Sequence, residues 1–261
     1  MAQKETNPQF DFDAVIFDLD GVVTKTALVH ASSWKKMFDE YLKKREEKNN
    51  EPFKEFVYED DYLPYVDGKP RYKGVQSFLE SRGIQIPFGD PSDGTDEETV
   101  CGLGNRKNVK FQEILETAGV EVYPLAIEFV KDLKAKGIHV GVASSSKNCQ
   151  FVLESAGIDD LFETRVDGVV SAELNLKGKP EGDIFMKAAA NVGASPDRSV
   201  VVEDAVSGVE AGVNGGFALV IGVARENNEK DLLAHGADFV VTDFKGLTTE
   251  VVDSRLKQKK S

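Results

Sequence analysis

The chain has 261 residues, with 45 aspartates and glutamates against 32 lysines and arginines, so its formal net charge is −13. That much negative charge repels nucleic-acid phosphates and anionic membranes, so neither is expected as a partner, and a phosphorylated ligand would need basic groups concentrated locally. A hydrophobic share of 41% describes an ordinary globular protein, no apolar run approaches the length of a membrane span, and the polar start Met1–Gln9 has no signal core, which together predict a cytoplasmic protein. A monomer or weak homo-oligomer is the separate expectation for its assembly.

Ala14–Phe17 is an uninterrupted apolar run, which suits a strand covered on both faces, and it leads into Asp18-Leu19-Asp20-Gly21-Val22. The period then changes. Ala27, Ala31, Trp34, Phe38 and Leu42 recur every three or four residues, predicting an amphipathic helix that ends in the polar run Arg45–Asn50. A weak helical pattern at Tyr62–Val66 is followed by a helix over Val75–Arg82 closed by Gly83. Ile84–Gly94 reads as a loop, and its Asp90, Asp93 and Asp96 lack the ligand spacing of a calcium loop. Thr95 with Glu98 has the form of a capping box, and Phe111, Ile114, Leu115 and Ala118 predict a helix stopped by Gly119.

From Tyr123 onward, helix, glycine and strand repeat. Helices are predicted over Leu125–Lys136, Asn148–Ala156, Ile184–Val192 and Val209–Asn214. Strands are predicted over Ile138–Ala143, Ser199–Val202, Ala218–Ile221 and Phe239–Val241. The basic tail Lys257–Lys260 reads as a frayed, solvated end. Cys101 and Cys149 fall in helical segments without metal-ligand spacing and read as reduced, buried thiols. Strands alternating with helices imply an α/β fold, a Rossmann-like three-layer core around a parallel sheet. The first strand needs that sheet, so the helical stretch is an insertion: core 1–24 and 120–261, an all-helical cap domain 25–119, and hinges near Thr24–Thr26 and Gly119–Tyr123.

Parallel strands end on one rim, where open α/β sheets place their chemistry. That rim gathers Asp18 and Asp20, the run Ser144-Ser145-Ser146-Lys147-Asn148, Lys179-Pro180, and Glu203-Asp204. Carboxylates without histidine or thiolate suit a hard cation such as Mg²⁺. A lysine and hydroxyl donors beside it suit a phosphoryl group, and a carboxylate nucleophile would divide the transfer into two steps.

These four motifs, in this order, resemble the haloacid dehalogenase superfamily over about two thirds of the chain, and the insertion after the first motif resembles its C1-cap subclass, with β-phosphoglucomutase-like enzymes and their hydrolase relatives as the nearest group. The resemblance implies Mg²⁺-dependent phosphoryl transfer through an aspartyl-phosphate on a small phosphorylated sugar. It makes Asp18 the nucleophile and Asp20 the general acid and base. Ser144 and Lys179 would hold the phosphoryl group, and Asp18, Asp20 (through its carbonyl), Glu203 and Asp204 would form the metal site. Thr26, His30, Ser146, Lys147 and Asn148 would lie near substrate. Cys101–Asn108 would be a remnant of the cap's substrate loop, with Arg106 and then Lys107 gripping the distal group, and Arg71 with Lys73 another basic edge. Two positions depart from the pattern: Lys25 replaces a carboxylate, and Ala205 a common serine. A sugar-phosphate phosphatase is the close alternative. A non-catalytic binding domain is disfavoured because both aspartates are present, and a receiver domain has no use for the insertion.

Overall fold

A computed structural model describes residues 9–49, 52–225 and 227–260. Asn50 and the polar start up to residue 8 lie outside the described residues. Contacts divide the chain into two units, one running up to Lys25 and resuming at Val120, the other being Thr26–Gly119.

In chain order the first element is β1 (Ala14–Phe17). The second unit follows with α1 (Ala27–Asn49), a π-turn at Tyr58–Tyr62, the single turn α2 (Leu63–Tyr65), α3 (Arg71–Ser81) and α4 (Val100–Ala118). The first unit resumes with α5 (Pro124–Ala135), β2 (His139–Ala143), α6 (Cys149–Ser155), β3 (Thr164–Val166), α7 (Gly168–Glu173) and α8 (Asp183–Asn191). It closes with β4 (Ser199–Glu203), α9 (Val206–Asn214), β5 (Leu219–Val223), α10 (Glu229–Ala234), β6 (Phe239–Val241) and α11 (Thr249–Lys260). Among the described helices none is long and apolar enough to cross a membrane.

The sheet is parallel throughout, in the order β3-β2-β1-β4-β5-β6. This is the Rossmann order, whose direction reverses between β1 and β4. β1 is buried on both faces because successive side chains point opposite ways. Ala14 and Ile16 join a cluster with Phe185 and Ala188 of α8, whereas Phe17 meets Phe129 of α5 edge-on at 5.8 Å. Burying a phenylalanine of this kind contributes about 2–3 kcal/mol.

The second unit has its own core, in which α1 supplies Trp34, Met37 and Phe38, and Phe38 packs on Phe56 and Phe78 at 5.1 and 4.1 Å. The Arg82 fork grips Asp61, its Nη2 2.7 Å from Oδ2, and also donates to the carbonyls of Lys54 and Glu55.

α1 ends inside the polar run Arg45–Asn50, as its sequence implies, at Asn49, and Lys48 in its last turn is tied to Glu98 at 3.2 Å. Two local readings are corrected. Thr95 does not cap α4. The cap is Thr99, whose Oγ1 accepts from Gly102 N at 2.9 Å and donates to Asp93 at 2.6 Å, while Thr95 lies in a preceding turn and Glu98 turns toward Lys48. The tail is not frayed through Lys260: Val252 and Leu256 lie buried one turn apart in α11, and Lys257 and Lys259 pair with Asp253 and Asp238. Both cysteines are buried free thiols.

Candidate active site

The sheet register assembles the first unit's polar groups. Phe17 lies level with Val142 of β2 and Val202 of β4, so the next step along each strand brings Asp18 beside Ala143 and Glu203. The Asp18 amide still donates to Val202 O at 2.9 Å, which carries the ladder one residue past the strand and fixes where its carboxylate emerges. Asp18 as a whole is 5% exposed. Burial pushes its pKa well up, the Lys179 ammonium opposes this, and Glu203 and Asp20 push it further up.

Lys179 is the counter-charge. It reaches Asp18 Oδ1 and Glu203 Oε2, both at 2.6 Å, with its Nζ 5.0 Å from the Phe185 ring centroid. Despite burial, the two carboxylates raise its pKa, so it remains an ammonium. Glu203 Oε1 accepts from the amides of Asp204 and Ala205 at 3.2 and 3.0 Å. Its two oxygens are therefore engaged in fixing Lys179 and the loop after β4.

Carboxylate oxygens of Asp18, Glu203 and Asp204 all lie within 4.8 Å of one another. Three hard oxygen donors around a single ammonium leave a surplus of buried negative charge, and a divalent cation of the Mg²⁺ kind fits such a set. Two glycines keep it open. A Cβ on Gly21 would fall 1.8 Å from Asp204 Oδ2, and one on Gly208 would fall 1.9 Å from Glu203 Oε2. Gly21 also has φ +85°, which side chains rarely adopt. Gly21→Ala is accordingly expected to displace Asp204 and weaken activation by Mg²⁺ by tenfold or more, read from the half-saturating Mg²⁺ concentration. An unchanged Mg²⁺ requirement would count against Asp204 as a ligand.

Asp20 lies in a turn closed on itself: Leu19 O accepts from Val23 N, Thr24 N and Thr24 Oγ1 at 2.9, 2.9 and 3.2 Å. Ser144 Oγ donates to Asp20 Oδ2 at 3.4 Å and accepts from Ser146 N at 3.1 Å, and Ser146 Oγ accepts from Asn148 N at 3.1 Å. The serine run is thus a ladder of side-chain turns leading into α6. Asn148 is buried just before that helix, and Lys147 is exposed. Lys25 pairs with Glu121 at 2.7 Å.

In the second unit, Thr26 is buried and its carbonyl accepts from His30 N. His30 stacks on Phe111 at 4.0 Å, and its Nδ1 lies 2.6 Å from Lys107 Nζ. Lys107 is 3% exposed and lies over Trp34 and Phe111 at 5.0 and 4.7 Å. Cys101–Asn108 is not a loop but the first two turns of α4, begun by the Thr99 cap. Arg106 Nε is spent on Thr95 O at 2.7 Å, whereas Arg71 donates to Asn108 at 2.7 Å one residue from Lys107. The sequence ranked Arg106 first and Lys107 second, with Arg71 on a further edge; each of the three is engaged by a neighbour within this unit, Thr95, His30 and Asn108 respectively. Arg225, which nothing in the sequence marked, donates from Nε to Gly21 O at 2.6 Å beside the Asp20 turn. Its only signal is a charged residue just beyond an apolar strand.

A family model described as haloacid dehalogenase-like hydrolase matches residues 12–216. The β-phosphoglucomutase of Mycobacterium bovis is 47% identical over 234 residues, covering 88% of this chain and 89% of the relative. That of Bacillus subtilis is 31% identical over 247 residues, covering 94% and 96%. The solved β-phosphoglucomutase of Clostridium difficile superposes with a TM-score of 0.74 at 25% identity, covering 95% of this chain and 99% of that one.

Proposed function

Because the chain belongs to the haloacid dehalogenase-like hydrolases, we propose that this enzyme moves a phosphoryl group on a small sugar phosphate, in the manner of a β-phosphoglucomutase, with Asp18 as the covalent carrier. The observation that carries the reading is the Lys179 bridge between Asp18 and Glu203, 2.6 Å to each, at the sheet's switch point. It sets an ammonium against a deeply buried carboxylate and so opposes the rise in pKa that burial imposes on the nucleophile.

An Asp18 oxygen attacks phosphorus, the phosphorus–oxygen bond to the sugar breaks, and Asp20 gives its proton to the departing oxygen. In the second half, Asp20 takes the proton of the acceptor hydroxyl as that oxygen attacks the aspartyl-phosphate and frees Asp18. Ser144 and Lys179 donate to the phosphoryl oxygens in both halves. Asp18, Asp204 and the Asp20 carbonyl would hold Mg²⁺, with Glu203 as a further carboxylate beside them; when bound, it supplies charge neutralisation for the approaching phosphate. We assign the choice of substrate to the second unit, through Lys107, His30, Arg71 and Arg106, with Thr26 at its start. Ser146, Lys147 and Asn148 line the loop that carries Ser144. We place the enzyme in the cytoplasm as part of the same reading.

The test is a time course with β-glucose 1-phosphate, Mg²⁺ and trace β-glucose 1,6-bisphosphate. Glucose 6-phosphate is the expected product. Inorganic phosphate alone would make the enzyme a phosphatase, with water as the acceptor, and no turnover of either kind would overturn the substrate class.

A further inference from the structure

The loop after β5 supplies none of the reacting groups, yet it touches the backbone beside two of them. Arg225 follows Ala224 at the strand's end. Its Nε donates to Gly21 O at 2.6 Å, Nη2 to Val22 O at 3.4 Å and Nη1 to Thr242 O at 3.3 Å. The guanidinium carbon lies 3.6 Å from the Tyr123 ring centroid, close enough for face-on stacking, and 5.8 Å from that of Phe244. From the same loop, Asn228 donates to Asp204 O at 3.1 Å.

The Asp20 turn satisfies its inner groups by itself, through Leu19 O and a bond from Gly21 N to Thr24 O at 2.8 Å. The carbonyls of Gly21 and Val22 are bound instead by Arg225, and a planar fork fixes direction in a way a single ammonium does not. Tyr123, on which the fork lies, donates its own amide to Val23 O at 2.9 Å. Arg225 therefore braces both the turn and the strand segment paired with it.

We propose that Arg225 is a positioning residue for Asp20, holding the turn so that the general acid meets the leaving oxygen. This rests on the phosphoryl-transfer reading above. A proton is needed where the leaving group is a sugar hydroxyl and not where it is a nitrophenolate, so the two classes of ester separate positioning from general damage.

The experiment compares wild type, Arg225→Met and Arg225→Lys on β-glucose 1-phosphate and on p-nitrophenyl phosphate, with Mg²⁺ saturating. In single turnover with enzyme in excess, which reads only the phosphorylation of Asp18, Arg225→Met is expected to slow transfer from the sugar ester by about 10–100-fold and transfer from the nitrophenyl ester by no more than about threefold, since expulsion of nitrophenolate draws little on the acid. Arg225→Lys should fall between. Equal losses on both esters, or no loss on either, overturn the proposal. If Arg225→Met is not recovered folded, the ratio of the two rates in Arg225→Lys decides by the same criterion. Wild type turning over neither ester would remove the function reading itself, whereas turnover of both with an unmoved ratio removes only the positioning role.

Discussion

Asp18→Asn is expected to reduce turnover by ~10⁵-fold or more, as loss of a covalent nucleophile does elsewhere, and to abolish the acid-stable mass gain of one phosphoryl group on the intact protein. The same substitution carries a stability prediction of opposite sign. Burial holds the Asp18 pKa above its unfolded value, so the folded protein binds a proton there more readily than the unfolded chain. Stability from this group is present at acid pH and falls as pH rises from the unfolded pKa toward the folded one. Ionising this carboxylate in the folded protein is therefore a cost, and a neutral isostere removes it. With the metal chelated, Asp18→Asn should melt above wild type. A lower melting temperature, or surviving turnover, would sink the assignment of Asp18 as a strained, buried nucleophile.

Lys179→Met is expected to lose about 10³-fold in kcat, the upper range for removing one donor to a developing phosphoryl charge. It should also lose about 3–5 kcal/mol of stability, the usual result of taking one partner from a buried ion pair. The folded Lys179 pKa is raised, so its contribution is complete below the unfolded lysine pKa and is lost only as pH rises through the folded value. Throughout the working range the ammonium is charged. Removing it leaves Asp18 and Glu203 facing each other, and the variant should recover stability as pH falls and one of them binds a proton. Urea unfolding at mildly acidic and mildly alkaline pH reads this directly. A variant no more stable in acid would show that Lys179 is not their essential counter-charge.

The sheet strands with long apolar runs were legible because a strand buried on both faces has no polar alternation to confuse it. β1 is the clearest case, whereas the register that sets it against β4 is seen only in the fold. β3 was not legible: it has three residues, with Arg165 at its centre. α11 was hidden because its buried side, Val252 and Leu256, is outnumbered by charge. The carboxylates and Lys179 could be singled out from the order of their motifs. The commitments of individual donors could not. Glu203 divides its oxygens between Lys179 and two amides, and Arg106 spends its Nε on Thr95, through contacts between residues distant in sequence or across an irregular turn. Arg225 escaped notice for the same reason, since Gly21 and Val22, whose carbonyls it binds, lie some 200 residues away in the chain.

Thr24 and Val122 are bridged antiparallel, Lys25 N donates to Glu121 O at 2.8 Å, and Tyr123 N donates to Val23 O. The polypeptide thus leaves the sheet-bearing unit and returns to it through hydrogen-bonded neighbours. A fold entered and left at one doorway places almost no length requirement on what is threaded through it, because the entropy of closing a loop grows only logarithmically. Exchange of the intervening segment for another of quite different size is thereby open to recombination without disturbing a single strand. New substrate ranges can then arise by swapping whole modules, while the reacting carboxylates stay where the sheet holds them.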